Sequence, residues 1–335
     1  MGYQDFLYAV EKELNKKLKE GIRASIYTAV KNNGREKKGI LIETQGFHAA
    51  PTIYLEGFYV RFLRGEPLER LIKEILDFYE CVRPEEVWDS RKFEKYEEIQ
   101  DRVVFKLIHC SKNKVLLEQA PYIAVLDLAI VFYVLLDMEK RGTATIQICA
   151  EHMKKWGISK NDLFLDAVQN VKKLLPAEFF TMQYALEQML EVTEEDEAEN
   201  LLEEVRKDKR DVMYVLTNPP RNYGAACIMY PHVLELLGDI LREDYYILPS
   251  SVHEVIIVPD SKALDPDEMD EMVAEINETQ VEPEEVLSDH AYFYERKKKR
   301  LMMKKKLGWQ MQESIAYRTG EIRFGEQEDY YGTGR

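Results

Sequence analysis

The stretch from Ala120 to Leu136, APYIAVLDLAIVFYVLL, constrains the fold more than any other part of the chain. It is apolar almost throughout, but Pro121 and Asp127 interrupt it, and it falls short of the ~20 residues that a membrane-crossing helix requires. Its wealth of Ile, Val, Phe and Tyr predicts instead a strand buried on both faces, running through Asp127 to Val134. Such a strand has to be covered by helices or a second sheet. At 335 residues the chain is long enough for two lobes, and folding can bury roughly three quarters of its unfolded surface. No metal or disulfide is needed to hold such a core together.

Around this strand the apolar periodicity switches between helix and sheet. Leu7, Val10, Leu14 and Leu18 form one helical stripe over residues 3 to 20, stopped by Gly21. Ala24 to Val30 and Gly39 to Ile42 read as a hairpin with a long charged tip around Asn32-Asn33-Gly34. Thr52 is placed to cap a helix bearing Leu55, Phe58, Tyr59, Phe62 and Leu63. Gly65 ends it, and Pro67 opens the next helix, which carries Leu68, Leu71, Ile72, Ile75, Leu76 and Tyr79. A helix from Pro84 to about Gln100 and a strand from Val103 to Ile108 follow, then a shorter strand from Thr143 to Ile148. Ser159 with Asp162 forms a capping box for a helix that buries Leu163, Phe164, Ala167, Val171 and Leu174. Farther on, a strand over Asp211 to Leu216 leads through Asn218–Gly224 into a helix from Ala226 to Leu241. A tight hairpin then joins Tyr245–Leu248 to His253–Val258, with the return strand apolar on both faces.

Strands and helices alternate without regular βαβ spacing, so the expected class is α+β, with mixed or antiparallel sheets packed by amphipathic helices. The expected organisation is an N-terminal helix-hairpin-helix lobe over 1–92, a middle α+β lobe over 93–186 and a C-terminal α+β lobe over 211–307. An acidic helical linker over 187–210 joins the last two, and a mobile tail over 308–335 closes the chain. Ile158–Asp166 and Val281–Asp289 share a pattern of an apolar residue, a helix start, two apolar neighbours and Asp, so a diverged internal repeat is a further expectation.

Charge and cysteine content narrow the function. A net charge of -15 repels nucleic acid and anionic lipid on average. Cys81, Cys110, Cys149 and Cys227 show no CxxC spacing and read as reduced, mostly buried thiols. The N-terminus carries no apolar signal segment, so a cytoplasmic location is expected, with no membrane partner.

Several of these segments resemble a known family. Asn218–Gly224, Met229-Tyr230-Pro231, Tyr246–Val255, Glu285–Asp289 and Trp156–Ser159 are similar to a bacterial family from gut anaerobes known as domain of unknown function 5688. The likeness runs over roughly residues 5 to 300, and its most specific part surrounds Pro249. It implies a cytoplasmic bacterial protein and carries over no activity, cofactor or catalytic residue. Asp127 to Asn170 is more distantly similar to another family, of Bacillus-type bacteria, which also implies α+β.

Candidate chemistry is sparse. The cluster Ser250, Ser251, His253, Glu254 invites a hydrolase reading, but a nucleophile must lie about 3 Å from its base, with an orienting carboxylate behind. On one strand Ser251 and His253 share a face and Glu254 points away, so the simpler reading is a turn. Adding Asp289 and His290 gives the one set from which a metal-dependent or hydrolytic site centred on His253 and Glu254 is conceivable. The six histidines are otherwise scattered, neither GxGxxG nor GxxxxGK[ST] occurs, and no cofactor or metal is expected. Charge, by contrast, is segregated. Arg296, Lys297, Lys298, Lys299, Arg300, Lys304, Lys305 and Lys306 place eight positive charges between residues 296 and 306, leaving -23 on the rest. Asp265 to Glu285 holds ten acids and no base. With Leu301, Met302 and Met303 interleaved, the basic block is expected to be an amphipathic helix, either a solvated face or a docking surface for an acidic partner or a phosphate backbone. The leading expectation is a non-enzymatic interaction protein with protein partners. Nucleic-acid engagement through 296–306 and an enzyme at His253/Glu254 stand as alternatives.

Overall fold

The computed structural model describes residues 1–44, 52–82, 93–139, 142–189, 212–249, 251–305, 308–313, 316–318, 321–323 and 328–330. The chain divides into two compact units, Met1–Tyr96 and Glu97–Arg335.

In the first unit, helix α1 (Tyr3–Lys17) buries Phe6, Leu7, Val10 and Leu14 along one stripe. Strands β1 (Ile22–Val30), β2 (Glu36–Thr44) and β3 (Thr52–Tyr54) form an antiparallel sheet in that order. Helices α2 (Glu56–Leu63) and α3 (Leu68–Val82) follow. The hairpin is longer than expected and its tip shorter: Val30 pairs with Glu36, so the charged residues before Gly39 belong to β2. Thr52 opens β3 instead of capping a helix. Ile53 is buried between half-buried Thr52 and Tyr54, a period of two, and the helix starts only after buried Leu55. The core joins Ala24, Ile40, Ile42 and Ile53 of the sheet to the α1 stripe and to Leu71, Ile72, Ile75 and Tyr79 of α3.

The helix expected over Pro84–Gln100 lies partly outside the described residues. Its described remainder is short 3-10 turns, among them Tyr96–Glu98 and Gln100–Arg102.

The second unit contains β4 (Val103–His109), α4 (Lys114–Gln119), β5 (Tyr122–Val125), β6 (Leu128–Glu139) and β7 (Gly142–Gln147). The long apolar run is a hairpin: the chain reverses at Leu126, whose φ of 55° is left-handed, and Asp127, so that β5 folds back onto β6. β6 is central, with β4 along one edge and β5 and β7 in succession along the other. Helix α5 (Ala150–Trp156) precedes α6 (Lys160–Leu174), which has the expected Ser159–Asp162 capping box. Phe164 of α6 packs on Phe105 and Phe132, at 5.8 and 6.4 Å between ring centroids. Val168 and Leu175 take the buried places at the end of this face, while Leu174 is half-buried.

The remaining elements are β8 (Glu178–Thr181), α7 (Met182–Met189), β9 (Tyr214–Thr217), α8 (Val233–Leu241), β10 (Tyr245–Leu248), β11 (Val255–Pro259) and α9 (Pro266–Thr279). They are followed by β12 (Tyr292–Glu295), β13 (Arg300–Lys305), β14 (Gly308–Glu313), β15 (Ala316–Arg318), β16 (Glu321–Arg323) and β17 (Glu328–Tyr330). Eight of these strands form one antiparallel sheet, in the order β17-β14-β13-β12-β10-β11-β9-β8. The return strand β11 lies between β10 and β9, an interior position as its two apolar faces require. The fold is α+β with antiparallel sheets.

Four expectations change. Segments assigned to separate middle and C-terminal lobes belong to one unit, because β8 pairs with β9 across the acidic stretch and buries Phe179 and Phe180. The acidic linker itself lies outside the described residues from 190 on. The expected helix over 226–241 is divided into a buried 3-10 segment, Gly224–Met229, and α8, since Pro231 cannot continue a helix. Residues 282–289, the second half of the supposed repeat, form a turn and an isolated bridge between Ser251 and Val286 where the first half is a fifteen-residue helix, so the echo has no structural counterpart. Beyond residue 307, expected to be a tail, β14 and β17 extend the eight-stranded sheet.

Candidate functional site

His253 sits in the connection from β10 to β11, ahead of the strand proper, so the strand-face argument for Ser251 and His253 does not apply there. Ser251 is buried, and its Oγ accepts the His253 backbone N–H at 3.0 Å, a local turn bond. The His253 carbonyl accepts the Thr217 hydroxyl at 2.8 Å. The Tyr223 backbone N–H donates to His253 Nδ1 at 3.3 Å, which leaves the neutral ring its proton on Nε2, 3.4 Å from Glu285 Oε1. Both ring nitrogens are therefore engaged, and among the described residues neither meets a serine hydroxyl. The carboxylate partner is Glu285, brought in by the Ser251–Val286 bridge, and not Glu254, which follows His253 half-buried. Ser250 lies outside the described residues.

Asp289 and His290, expected to join His253, belong to another polar group. Asp289 accepts from Lys112 at 2.9 Å and from Asn277 at 2.8 Å. Burial opposes its ionisation, but these donors hold its carboxyl below the ordinary value. His290 Nδ1 lies 2.9 Å from Asp270 Oδ2, and that bond raises the imidazole pKa above its usual 6.5 against the opposing effect of burial. Nearby, Asp127 accepts the hydroxyls of Ser288 and Tyr292, each at 2.6 Å, and lies 3.6 Å from His109 Nε2. Backbone N–H groups of Ser111 and Lys112 donate to His109 Nδ1, so its Nε2 carries the proton that faces Asp127. Burial lowers the His109 pKa and pushes the Cys110 thiol up to about 11. The group thus contains serine, histidine and aspartate, but with the carboxylate in the middle. The hydroxyl bonds to the carboxylate and not to the imidazole, and Ser288 is fully buried, so the arrangement ties strands together and activates no nucleophile.

A third constellation was missed from sequence. Lys106 is the lone charge in the apolar strand β4, and its ammonium lies 4.2 Å above the Tyr133 ring and 4.1 Å from the Tyr223 ring centroid. Tyr223 stacks in turn on His253, at 5.7 Å and 24°. The loop that delivers Tyr223 is unusual: Arg221 and Tyr223 have φ of 48° and 56°. Buried Asn218 braces it through two bonds to the Asn222 backbone, at 3.0 and 3.1 Å. Gly224 has no room for a side chain, since a Cβ would fall on Thr217 Oγ1, the His253 carbonyl and the Asn218 nitrogen. The notch beside Lys106, also lined by Thr145 and Asn222, has about 20 Å³ of free space, room for roughly one water molecule. That volume is far below a substrate pocket.

The basic block is a hairpin, not a helix. β12 and β13 pair with Glu295 opposite Arg300, and the turn Arg296–Lys299 closes through the Lys299 N–H to the Arg296 carbonyl at 3.3 Å. Leu301 and Met303 are buried on alternate positions, the period of a strand. Arg296 pairs with Asp239 at 3.0 Å, Lys298 with Glu295 at 2.8 Å and Lys304 with Asp267 at 2.8 Å, so part of the charge is balanced within the chain. Lys297, Lys298 and Lys299 are exposed at the tip. Lys299 has a φ of 52°, a left-handed position where glycine or asparagine costs less. Lys306 lies outside the described residues.

Among the described residues, no three His, Cys, Asp or Glu side chains converge as a metal site, and no helix is long and apolar enough to cross a membrane. All four cysteines are free, as expected of reduced thiols, but only Cys227 is buried; Cys110 and Cys149 are half-buried and Cys81 is exposed, where mostly buried thiols were expected. No curated protein and no solved structure matches the chain. The family of unknown function DUF5688 matches residues 3–296, ending just before the lysines of the β12–β13 turn, and the chain belongs to that family.

Proposed function

We propose that the protein is a non-catalytic binding protein that engages an acidic protein partner through the tip of the β12–β13 hairpin. The observation that carries this reading is Lys299 in left-handed backbone, at the end of a run of three exposed lysines. Turn chemistry favours glycine there, and a lysine in its place supplies charge at a local cost. Arg296, Lys298 and Lys304 are paired with Asp239, Glu295 and Asp267, which concentrates the outward charge of the tip on Lys297 and Lys299.

The test is affinity capture with the full chain and with Lys297→Glu/Lys298→Glu/Lys299→Glu, circular dichroism confirming equal folding. Acidic proteins retained by the first and lost by the second are expected, with retention weakening as salt is raised. Identical capture by both contradicts the reading. Selective retention of duplex DNA with a steep salt dependence assigns the lysines to phosphate contacts instead.

A further inference from the structure

Strand β1 forms one edge of the N-terminal sheet, and α1 covers only half of it. The Asn15 side chain mimics a neighbouring strand: its Nδ2 donates to the Ala24 carbonyl at 2.8 Å, and its Oδ1 accepts the Ala24 N–H at 3.0 Å. One turn back, Glu11 Oε1 accepts the Ile26 N–H at 3.2 Å. These contacts fix the alternation, so even-numbered residues of β1 point their backbone groups away from β2. Uniform pairing from Ile22 to Val30 extends that pattern to Thr28 and Val30. No described hydrogen bond engages the outward backbone groups of these two. Thr28 is exposed, Val30 is 71% exposed and Tyr27 46%. An edge of this kind is a template for another strand.

We propose that the Tyr27–Val30 edge is a self-association surface, on which β1 of a second copy adds antiparallel about a two-fold axis at Ala29. The occupant follows from self-complementarity. With Ala29 opposite Ala29, Thr28 of each copy faces Val30 of the other, and the two residues exchange N–H···O bonds in both directions, giving four bonds that use only the open groups. The small Ala29 side chains meet where the strands come closest, and β-branched Thr28 and Val30 pack across the pair. Charge fits the same operator. Lys31 and Arg35 lie just beyond the Val30 end of the window, joined by a backbone bond, while Glu11 holds the Ile26 end, so the basic end of each copy meets Glu11 of its mate. Two three-stranded sheets become one sheet of six strands.

Sedimentation velocity on the full chain, from about 5 to about 500 µM, tests this, since a short strand addition gives a weak and concentration-dependent dimer. Thr28→Pro removes an outward N–H, which an edge strand tolerates, and is expected to leave the monomer folded and abolish the dimer. A pair of cysteine variants reads the register independently. Ala29→Cys places two thiols in a non-hydrogen-bonded pair within disulfide reach, whereas Val30→Cys thiols lie roughly 8 Å apart at the backbone. Under mild oxidation, disulfide-linked dimer is expected to form at least about tenfold faster for Ala29→Cys than for Val30→Cys or the unaltered chain. A chain that remains monomeric throughout the range, or equal cross-linking rates for the two variants, overturns the proposal.

Discussion

Gly224 and His290 are the residues whose neighbours most sharply determine what a substitution does. In Gly224→Ala the added methyl meets a hydroxyl, a carbonyl and a backbone nitrogen, none of which is the free end of a long side chain. A loss of about 3 kcal/mol is expected by urea denaturation, at the upper end of overpacking costs, and an unchanged midpoint would mean that the Asn218–Gly224 loop relaxes freely. His290 gives a pH signature. Because Asp270 raises its folded pKa above 6.5, the pair's contribution is fully present below about pH 6.5 and is lost as pH rises through the raised value. The melting temperature of His290→Gln should thus fall below that of the unaltered chain around pH 5.5, with the gap closing by about pH 8.5; a constant gap contradicts the ion pair. The sequence marked Gly224 as the end of a loop and His290 as a neighbour of Asp289, but their partners Thr217 and Asp270 are contacts made by tertiary packing. Lys106 was legible as the one charge in VVFKLIH, whereas the two tyrosines that enclose it come from Tyr133 and Tyr223, far apart in the chain.

Elements with strong local signals were read correctly and those with competing signals were not. The stripes of α1 and α3 and the Ser159 capping box each agree with one period and one terminator, so local and tertiary preferences coincide. In the basic block the density of lysine suggested a helix, although Tyr292, Tyr294, Leu301 and Met303 alternate as strand residues do. The hairpin makes its own prediction. Lys299→Gly relieves a left-handed lysine and is expected to raise stability by about 0.5–1 kcal/mol while weakening partner capture. Loss of stability in thermal unfolding would show that the lysine side chain packs, and would remove the case for a lysine placed there for its charge.

For the whole molecule, sequence composition suggested a boundary at the acidic stretch, yet β8 and β9 pair across it. Composition reports where a segment is solvated, while strand pairing between residues more than thirty positions apart leaves no local trace. Asp127 makes a second connection of this kind, from the β5–β6 turn to Ser288 and to Tyr292 of β12. Asp127→Ala strands two buried hydroxyls, and a loss of about 3 kcal/mol is expected. Hydrogen exchange should report it in β6 and β12 together, because both belong to the Glu97–Arg335 unit; loss of protection in one sheet alone contradicts a single unit. The functional account rests on the lysine tip, and amine footprinting of the full chain, alone and with its captured acidic partner, tests it most directly. Lys297, Lys298 and Lys299 are expected to lose reactivity in the complex while exposed lysines of α1 keep theirs, whereas undiminished labelling of all three lysines would contradict the account.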